Sequence, residues 1–321
     1  MTALQLADRI KGLPDFPART ALRVTNMAPV RAMLESRHCK ALAKHAGNLP
    51  DIGALDREIV DAVRRDGVYV TSLAALGIAG SDEILAAGRQ LAEDFAPEAR
   101  ESVRNGTDFT YVTSAAITAR PELFAWGLTD RLLDIAENYL GLPVAYDGVN
   151  IIYTVADGRA VATRQWHRDW EDRSMLKVAV YCSDVTATGG PFEVISRADT
   201  TRGPADGFNY APATRDELIR RLGADYDDQV VSCVGPAGTV IFSDTARFFH
   251  RGRPALGDDR MAMFFSYFAR TPRHPFFCER SGLSRRQIAE LASGLTPRQR
   301  ASSLWRESLP LLVRLIRPAR L

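Results

Sequence analysis

Along the first part of the chain, apolar residues recur at the spacing of helices buried on one face. In 55–67, LDREIVDAVRRDG, the residues Leu55, Ile59, Val60 and Val63 fall together, and Gly67 suits a helix C-terminus. A short β-like run, VYVTSL (68–73), follows. Ser81 is placed to cap a helix over 81–96, and Thr129 to cap another over 129–141 that ends at Gly141. From about residue 143 the period shortens. VAYDGVNIIYTV (144–155) and AVATRQWHRDW (160–170) read as two strands about an Asp157-Gly158 turn. Further β runs occupy 175–185, 191–196, both arms of 230–244 about a Gly-Pro-Ala-Gly turn, 247–252 and 260–270. Many short strands with close turn signals predict a barrel or a double-sheet jelly roll. Within 197–229, a long excursion with the character of a lid, one short helix is expected over 214–223. Helical patterning returns at 287–294 and 308–317.

This order predicts a mainly β fold with α elements, as a single domain over 1–321. Residues 1–140 form a helical N-terminal region, 141–272 the jelly-roll core and 273–321 a helical basic tail. Composition agrees with a globular protein, at 46% hydrophobic and 25% charged residues. The four cysteines, Cys39, Cys182, Cys233 and Cys278, are far apart and form no C-x-x-C pair. A zinc ribbon and a disulfide framework are therefore not expected, and a reducing compartment is. No secretory signal or membrane-length apolar run is visible, so the expected location is cytoplasmic.

Charge is uneven. Against a net +2, residues 280–321 carry nine arginines and only Glu290 and Glu307. Such a tail fits an anionic substrate, a membrane surface or a solvated helical face; no nucleic-acid motif accompanies it. In 308–317, Leu309, Leu312, Leu315 and Ile316 fall on one side, with Arg314 and Arg317 near the other. This amphipathic pattern fits a cap on its own domain, a homodimer face or a tail-mediated contact.

The chemistry concentrates in Gln165-Trp166-His167-Arg168-Asp169. In a strand, Gln165, His167 and Asp169 share one face, and Trp166 and Trp170 point to the other as core. A histidine and a carboxylate two apart can hold one metal ion. His250 lies in a second β segment, GTVIFSDTARFFHRG. Two imidazoles and one carboxylate from different strands make the facial triad of non-haem Fe(II) oxygenases, which leaves positions for a chelating cosubstrate and O₂. Arg260, ten residues after His250, opens a strand and either reaches inward to hold a carboxylate or stays at the surface. Lys177, one of four lysines, either faces an anion inside or extends from a sheet edge to water. His38 and His45 read as surface residues and His274 as a loop residue. Tyr181, Cys182, Met261 and Met263 read as packing, and no thiol nucleophile is supported.

The run QWHRDWEDRSMLKVAVYCSDVTATGGPFEVIS, then GTVIFSDTARFFHRG with Arg260 downstream, resembles the phytanoyl-CoA dioxygenase family over about residues 140–270. The resemblance implies a double-stranded β-helix, a cupin-like jelly roll with flanking helices. It implies Fe(II) on His167, Asp169 and His250, and 2-oxoglutarate as cosubstrate with its distal carboxylate on Arg260. Gln165 or Asn150 would then donate to the C1 carboxylate, and Lys177 would face the cosubstrate or a substrate acid. The implied activity is O₂-dependent hydroxylation of an unactivated C–H in a small molecule, a natural-product intermediate or an acyl thioester, with release of succinate and CO₂. Asp169 stands where related halogenases have a small residue, which favours hydroxylation. Many family members have Pro-Gly-Ser-His after the Gly-Pro strand, where this chain has Ser196-Arg197-Ala198-Asp199. Two other readings stay open: a cupin-type metal enzyme that does not use 2-oxoglutarate, and a non-catalytic barrel that binds a partner or membrane through its tail.

Overall fold

The computed structural model describes residues 16–107, 110–199, 212–279 and 281–316. Its strands, in chain order, are β1 (Val68–Ser72), β2 (Val144–Thr154), β3 (Leu176–Tyr181), β4 (Phe192–Ile195), β5 (Val230–Cys233), β6 (Thr239–Asp244), β7 (His250–Gly252) and β8 (Arg260–Ala269). They form two antiparallel sheets, one in the order β1-β6-β3-β8-β2 and one in the order β5-β4-β7. An isolated bridge between His167 and His250 lays the 167–169 segment beside β7. From β2 onward the chain repeatedly crosses from one sheet to the other. That winding is a double-stranded β-helix, a cupin-like jelly roll with helices packed on the larger sheet.

The period-two pattern explains which face does what. On β3, Leu176, Val178 and Val180 pack with the helices, while Ala179 and Tyr181 face the interior between the sheets. On β8, Met263, Phe265 and Tyr267 pack outward, and Arg260, Phe264 and Ser266 line an interior cavity. On β2, register shifts between Tyr146 and Val149. The extra residue lets Tyr146 share the helix-facing side with Val149, Ile151 and Tyr153. Gly148 sits in this bulge at φ 99°, a conformation most side chains avoid. Asn150, Ile152 and Thr154 consequently face the cavity.

The helical layer comes from amphipathic segments. Ile59, Val60 and Val63 of the Ala54–Asp66 helix are buried against the sheet. Each such side chain contributes about 1.5–3 kcal/mol on burial. Gly67 ends this helix in the left-handed conformation, and a side chain there would run into the Phe248 ring. Ile84, Leu132, Leu133, Ile135 and Tyr139 complete the layer. All four cysteines are free, and Cys182, Cys233 and Cys278 are buried. Among the described residues no helix is long and apolar enough to cross a membrane.

Several expectations are corrected. The β-like run VYVTSL is a strand, but it joins the larger sheet: β1 pairs along its length with β6. The 160–170 segment is not a hairpin partner of β2, which pairs with β8 on one edge and meets residues 110–112 on the other. It enters through a 3-10 turn, Ala162–Arg164, and bridges to β7 at His167. Ser81 is the first helical residue, after Gly80 at the N-cap, and its helix runs through Pro97 to Arg104. The Ser81 hydroxyl donates to the Ile78 carbonyl at 2.7 Å. Thr129 occupies the N-cap of Asp130–Leu140, but its side chain makes no capping bond. In the excursion, Arg215–Leu222 is helical as expected, whereas residues 200–211, part of the 197–229 stretch read as a lid, lie outside the described residues.

Candidate metal centre

His167 and His250 are directly opposed across their bridge, each donating its backbone N–H to the other's carbonyl, at 3.0 and 2.9 Å. Opposed residues project to the same face, so the two rings meet with centroids 4.2 Å apart. Asp169, two residues beyond His167, returns to that face, and its N–H is fixed to the Thr245 carbonyl at 2.8 Å. Ligand atoms of His167, Asp169 and His250 all lie within 4.8 Å of one another, and all three residues are buried. His250 Nε2 is 3.9 Å from Asp169 Oδ2.

The donor set fits a first-row divalent metal. Nδ1 of His167 lies 2.8 Å from the Gln165 carbonyl, and Nδ1 of His250 lies 3.4 Å from the Phe248 carbonyl. Those contacts orient the rings and leave the Nε2 lone pairs as the ligating electrons. Burial, and then the neighbouring charges of His167 and Lys177, push the His250 imidazole well below its ordinary value, against an opposing pull from Asp169. Neutral imidazole is the form that binds metal. A ligand set of two nitrogens and one oxygen with a cavity on its open side matches the facial arrangement, not a closed tetrahedral zinc site.

That cavity, of about 100 Å³, is lined by Asn150, Lys177, Arg260 and the three candidate ligands, among others. Lys177 lines the cavity and pairs with Asp169 Oδ2. Arg260 is buried, with Nη1 donating to the Gly190 carbonyl and Nη2 to Thr154 Oγ1 at 3.2 Å. Gln165 is not in the lining; its carbonyl meets His167 instead. Sequence reasoning missed Arg164. Strand alternation assigns it to the outer face, but the 3-10 turn breaks that alternation and brings Arg164 into the cavity lining.

The remaining candidates lie elsewhere. His45 is bound to Glu137 at 2.8 Å and joins no metal-binding cluster among the described residues. His274 lies in a loop but is buried, with Nδ1 2.6 Å from the Trp170 carbonyl. Trp166 packs in the core with Ile195, Leu218 and Phe249. Burial pushes the Cys182 and Cys233 thiols up to about 12, which leaves no thiolate nucleophile there.

No family model matches the sequence, and no curated protein matches it. Solved structures similar to the chain include EctD from S. alaskensis in its apoform, with 24% identity, 74% of this chain and 85% of that one covered, and a TM-score of 0.49. The same protein with bound Fe is 24% identical over 68% of this chain and 77% of that one, with a TM-score of 0.46. The non-heme alpha ketoglutarate dependent carbocyclase SnoK from nogalamycin biosynthesis is 19% identical over 70% and 85% of the two chains, with a TM-score of 0.46.

Proposed function

We propose that this chain is an Fe(II)/2-oxoglutarate-dependent dioxygenase of the phytanoyl-CoA dioxygenase type. In this reading it hydroxylates an unactivated C–H of a small-molecule substrate and releases succinate and CO₂. The observation that carries it is the convergence of His167, Asp169 and His250 in the lining of one cavity that is also lined by Arg260. When bound, the iron, 2-oxoglutarate and O₂ supply the oxidising chemistry.

The chain's residues supply placement. His167, Asp169 and His250 hold the ion from one side. Lys177 holds Asp169 Oδ2 and so sets the carboxylate's rotation. Arg260, braced by Gly190 and Thr154, receives the distal carboxylate of the cosubstrate. Asn150 donates to the C1 carboxylate, and Gln165 acts through its carbonyl by fixing the His167 ring. Phe192 and Phe264 in the lining exclude water from the reacting centre. The reading treats the three segments of the chain as one catalytic unit. Contacts such as Arg173 with Glu35 at 2.9 Å, and the Trp305 ring with that of Phe268 at 5.0 Å, support it.

Cobalt(II) binding, followed by its visible spectrum and by calorimetry, tests the site. Asp169→Ala and His167→Ala are expected to weaken it by about 100-fold or more, and to abolish 2-oxoglutarate-dependent succinate formation with Fe(II). Parent-like Co(II) affinity in either variant would sink the assignment. Tight metal binding in the parent without any effect of 2-oxoglutarate would favour a cupin-type enzyme instead.

A further inference from the structure

We propose that the substrate oxidised at this site carries an anionic group, best a carboxylate, and that Arg164 holds it through the Nε–Nη2 edge of its guanidinium. The proposal rests on the reading above, in which Arg260 and the triad are committed to the cosubstrate and the ion.

Arg164 is 6% exposed and lines the same cavity as His167, His250 and Arg260. Both of its acceptors, Asp157 Oδ1 and the Arg159 carbonyl at 3.3 Å, sit on Nη1. Among the described residues, Nε and Nη2 make no hydrogen bond. That edge offers two parallel N–H groups, which match the two oxygens of a carboxylate. The backbone holds it there at a cost. Ala162, which opens the 3-10 turn, is at φ 48°, the one non-glycine residue at positive φ among those described. Such backbone persists where the surroundings over-determine it, often at binding sites.

Charge points the same way. The lining carries Arg164, Lys177 and Arg260 against one carboxylate, Asp169. A divalent ion and a doubly negative cosubstrate cancel each other, so the loaded cavity stays positive. Asp157 answers part of this from outside the lining, and it is also bound by Arg159 at 2.7 Å. Burial first, and then the charge of Arg164, lower Arg260 below its ordinary value, with Tyr181 opposing; the two guanidinium groups therefore sense each other. A buried cationic surplus is costly unless an anion arrives with the substrate.

The probes are propionate, its neutral match propionamide, and sulfate. Each is titrated into the full chain loaded with Ni(II) and 2-oxoglutarate. The melting temperature is read in each titration, and the affinity for Ni(II) and 2-oxoglutarate is read separately by calorimetry. Propionate is expected to raise the melting temperature of the parent saturably, by about 2 °C, and propionamide is not. Arg164→Gln loses that response while its affinity for Ni(II) and 2-oxoglutarate stays within about threefold of the parent. Asp157→Asn, which removes the competing charge but keeps an oxygen acceptor, tightens propionate binding severalfold. A sulfate response larger than that of propionate would support a sulfate- or phosphate-like group; a smaller one would support the carboxylate. The proposal is overturned if no anion protects the parent, or if Arg164→Gln responds like the parent. It is equally overturned if Arg164→Gln loses 2-oxoglutarate affinity while keeping the anion response. Should Arg164→Gln fail to fold, the acid–amide comparison and Asp157→Asn still decide. A parent that binds neither Ni(II) nor 2-oxoglutarate overturns the underlying reading instead.

Discussion

Gly252 closes β7 with its backbone against Arg260. A Cβ placed there would stand 2.9 Å from Arg260 Nη2. The end of an exposed arginine would swing aside, but this one is buried and donates to both Gly190 and Thr154. Gly252→Ala should therefore displace the guanidinium while sparing the three candidate ligands. The expected result is roughly a tenfold weaker affinity for 2-oxoglutarate with Co(II) affinity unchanged, both read by calorimetry. Equal weakening of both would mean that the change spreads into β7 and His250. At this scale the sequence is most informative where alternation holds. Lys177 and Arg260, each left open by the sequence between an inward and an outward course, both line the cavity. Gln165 and Arg164 exchange expected positions for one reason. Alternation counted back from His167 assumes extended backbone, and Ala162–Arg164 is a 3-10 turn. Nothing in a residue-type pattern announces an alanine at positive φ.

Between β2 and His167 the connecting loop carries Arg164, and Asp259 anchors its beginning. The Asp259 carboxylate accepts from the Ala156 N–H at 2.7 Å, the Tyr153 hydroxyl at 2.7 Å and Arg100 Nη2 at 2.8 Å. Burial raises its pKa, but the Ala156, Tyr153 and Arg100 donors outweigh burial and hold it below the ordinary 3.8. Its folded value is thus the lower one, so the unfolded chain binds the extra proton between the two. The stabilisation is complete above the unfolded value and drains away as pH falls through the folded one. Asp259→Asn turns an amide N–H₂ toward donors and should cost about 1–3 kcal/mol at pH 7, measured by chemical denaturation. The gap between parent and variant should close below about pH 4. A gap unchanged by acid would mean that the carboxylate's charge is not what ties the loop. The β runs were legible as elements because half-buried strands alternate. Their pairing was not, since the chain changes sheets between β2 and the His167 segment and sequence proximity suggested a hairpin.

For the whole molecule, two arginines of the basic C-terminal region turn inward. Arg298 reaches Asp134 at 2.7 Å and Glu137 at 3.0 Å, and Arg306 reaches the Pro275 and Cys278 carbonyls at 3.1 and 3.0 Å. These two arginines serve packing, whereas Arg285, Arg286, Arg300 and Arg314 are exposed. The amphipathic pattern read over 308–317 is also rearranged. Leu309 is buried and Val313 and Ile316 pack against the interior, whereas Leu312 and Leu315 are 79% and 73% exposed. Arg317 lies outside the described residues. The anchor of the region is Trp305, whose ring meets Phe268 of β8 edge-on at 5.0 Å and is covered by the Arg306 guanidinium at 4.5 Å. Because β8 also carries Arg260, loss of this anchor should be felt across the fold. Trp305→Ala is expected to cost about 3–5 kcal/mol in chemical denaturation, as a large buried aromatic leaving a cavity. Leu312→Glu, on the outward side, should stay within about 0.5 kcal/mol. If Leu312→Glu instead destabilised the protein like Trp305→Ala, and did so more at low protein concentration, that leucine would be covered by a second chain. Sedimentation of parent and variant at matched concentrations would then show a dimer lost.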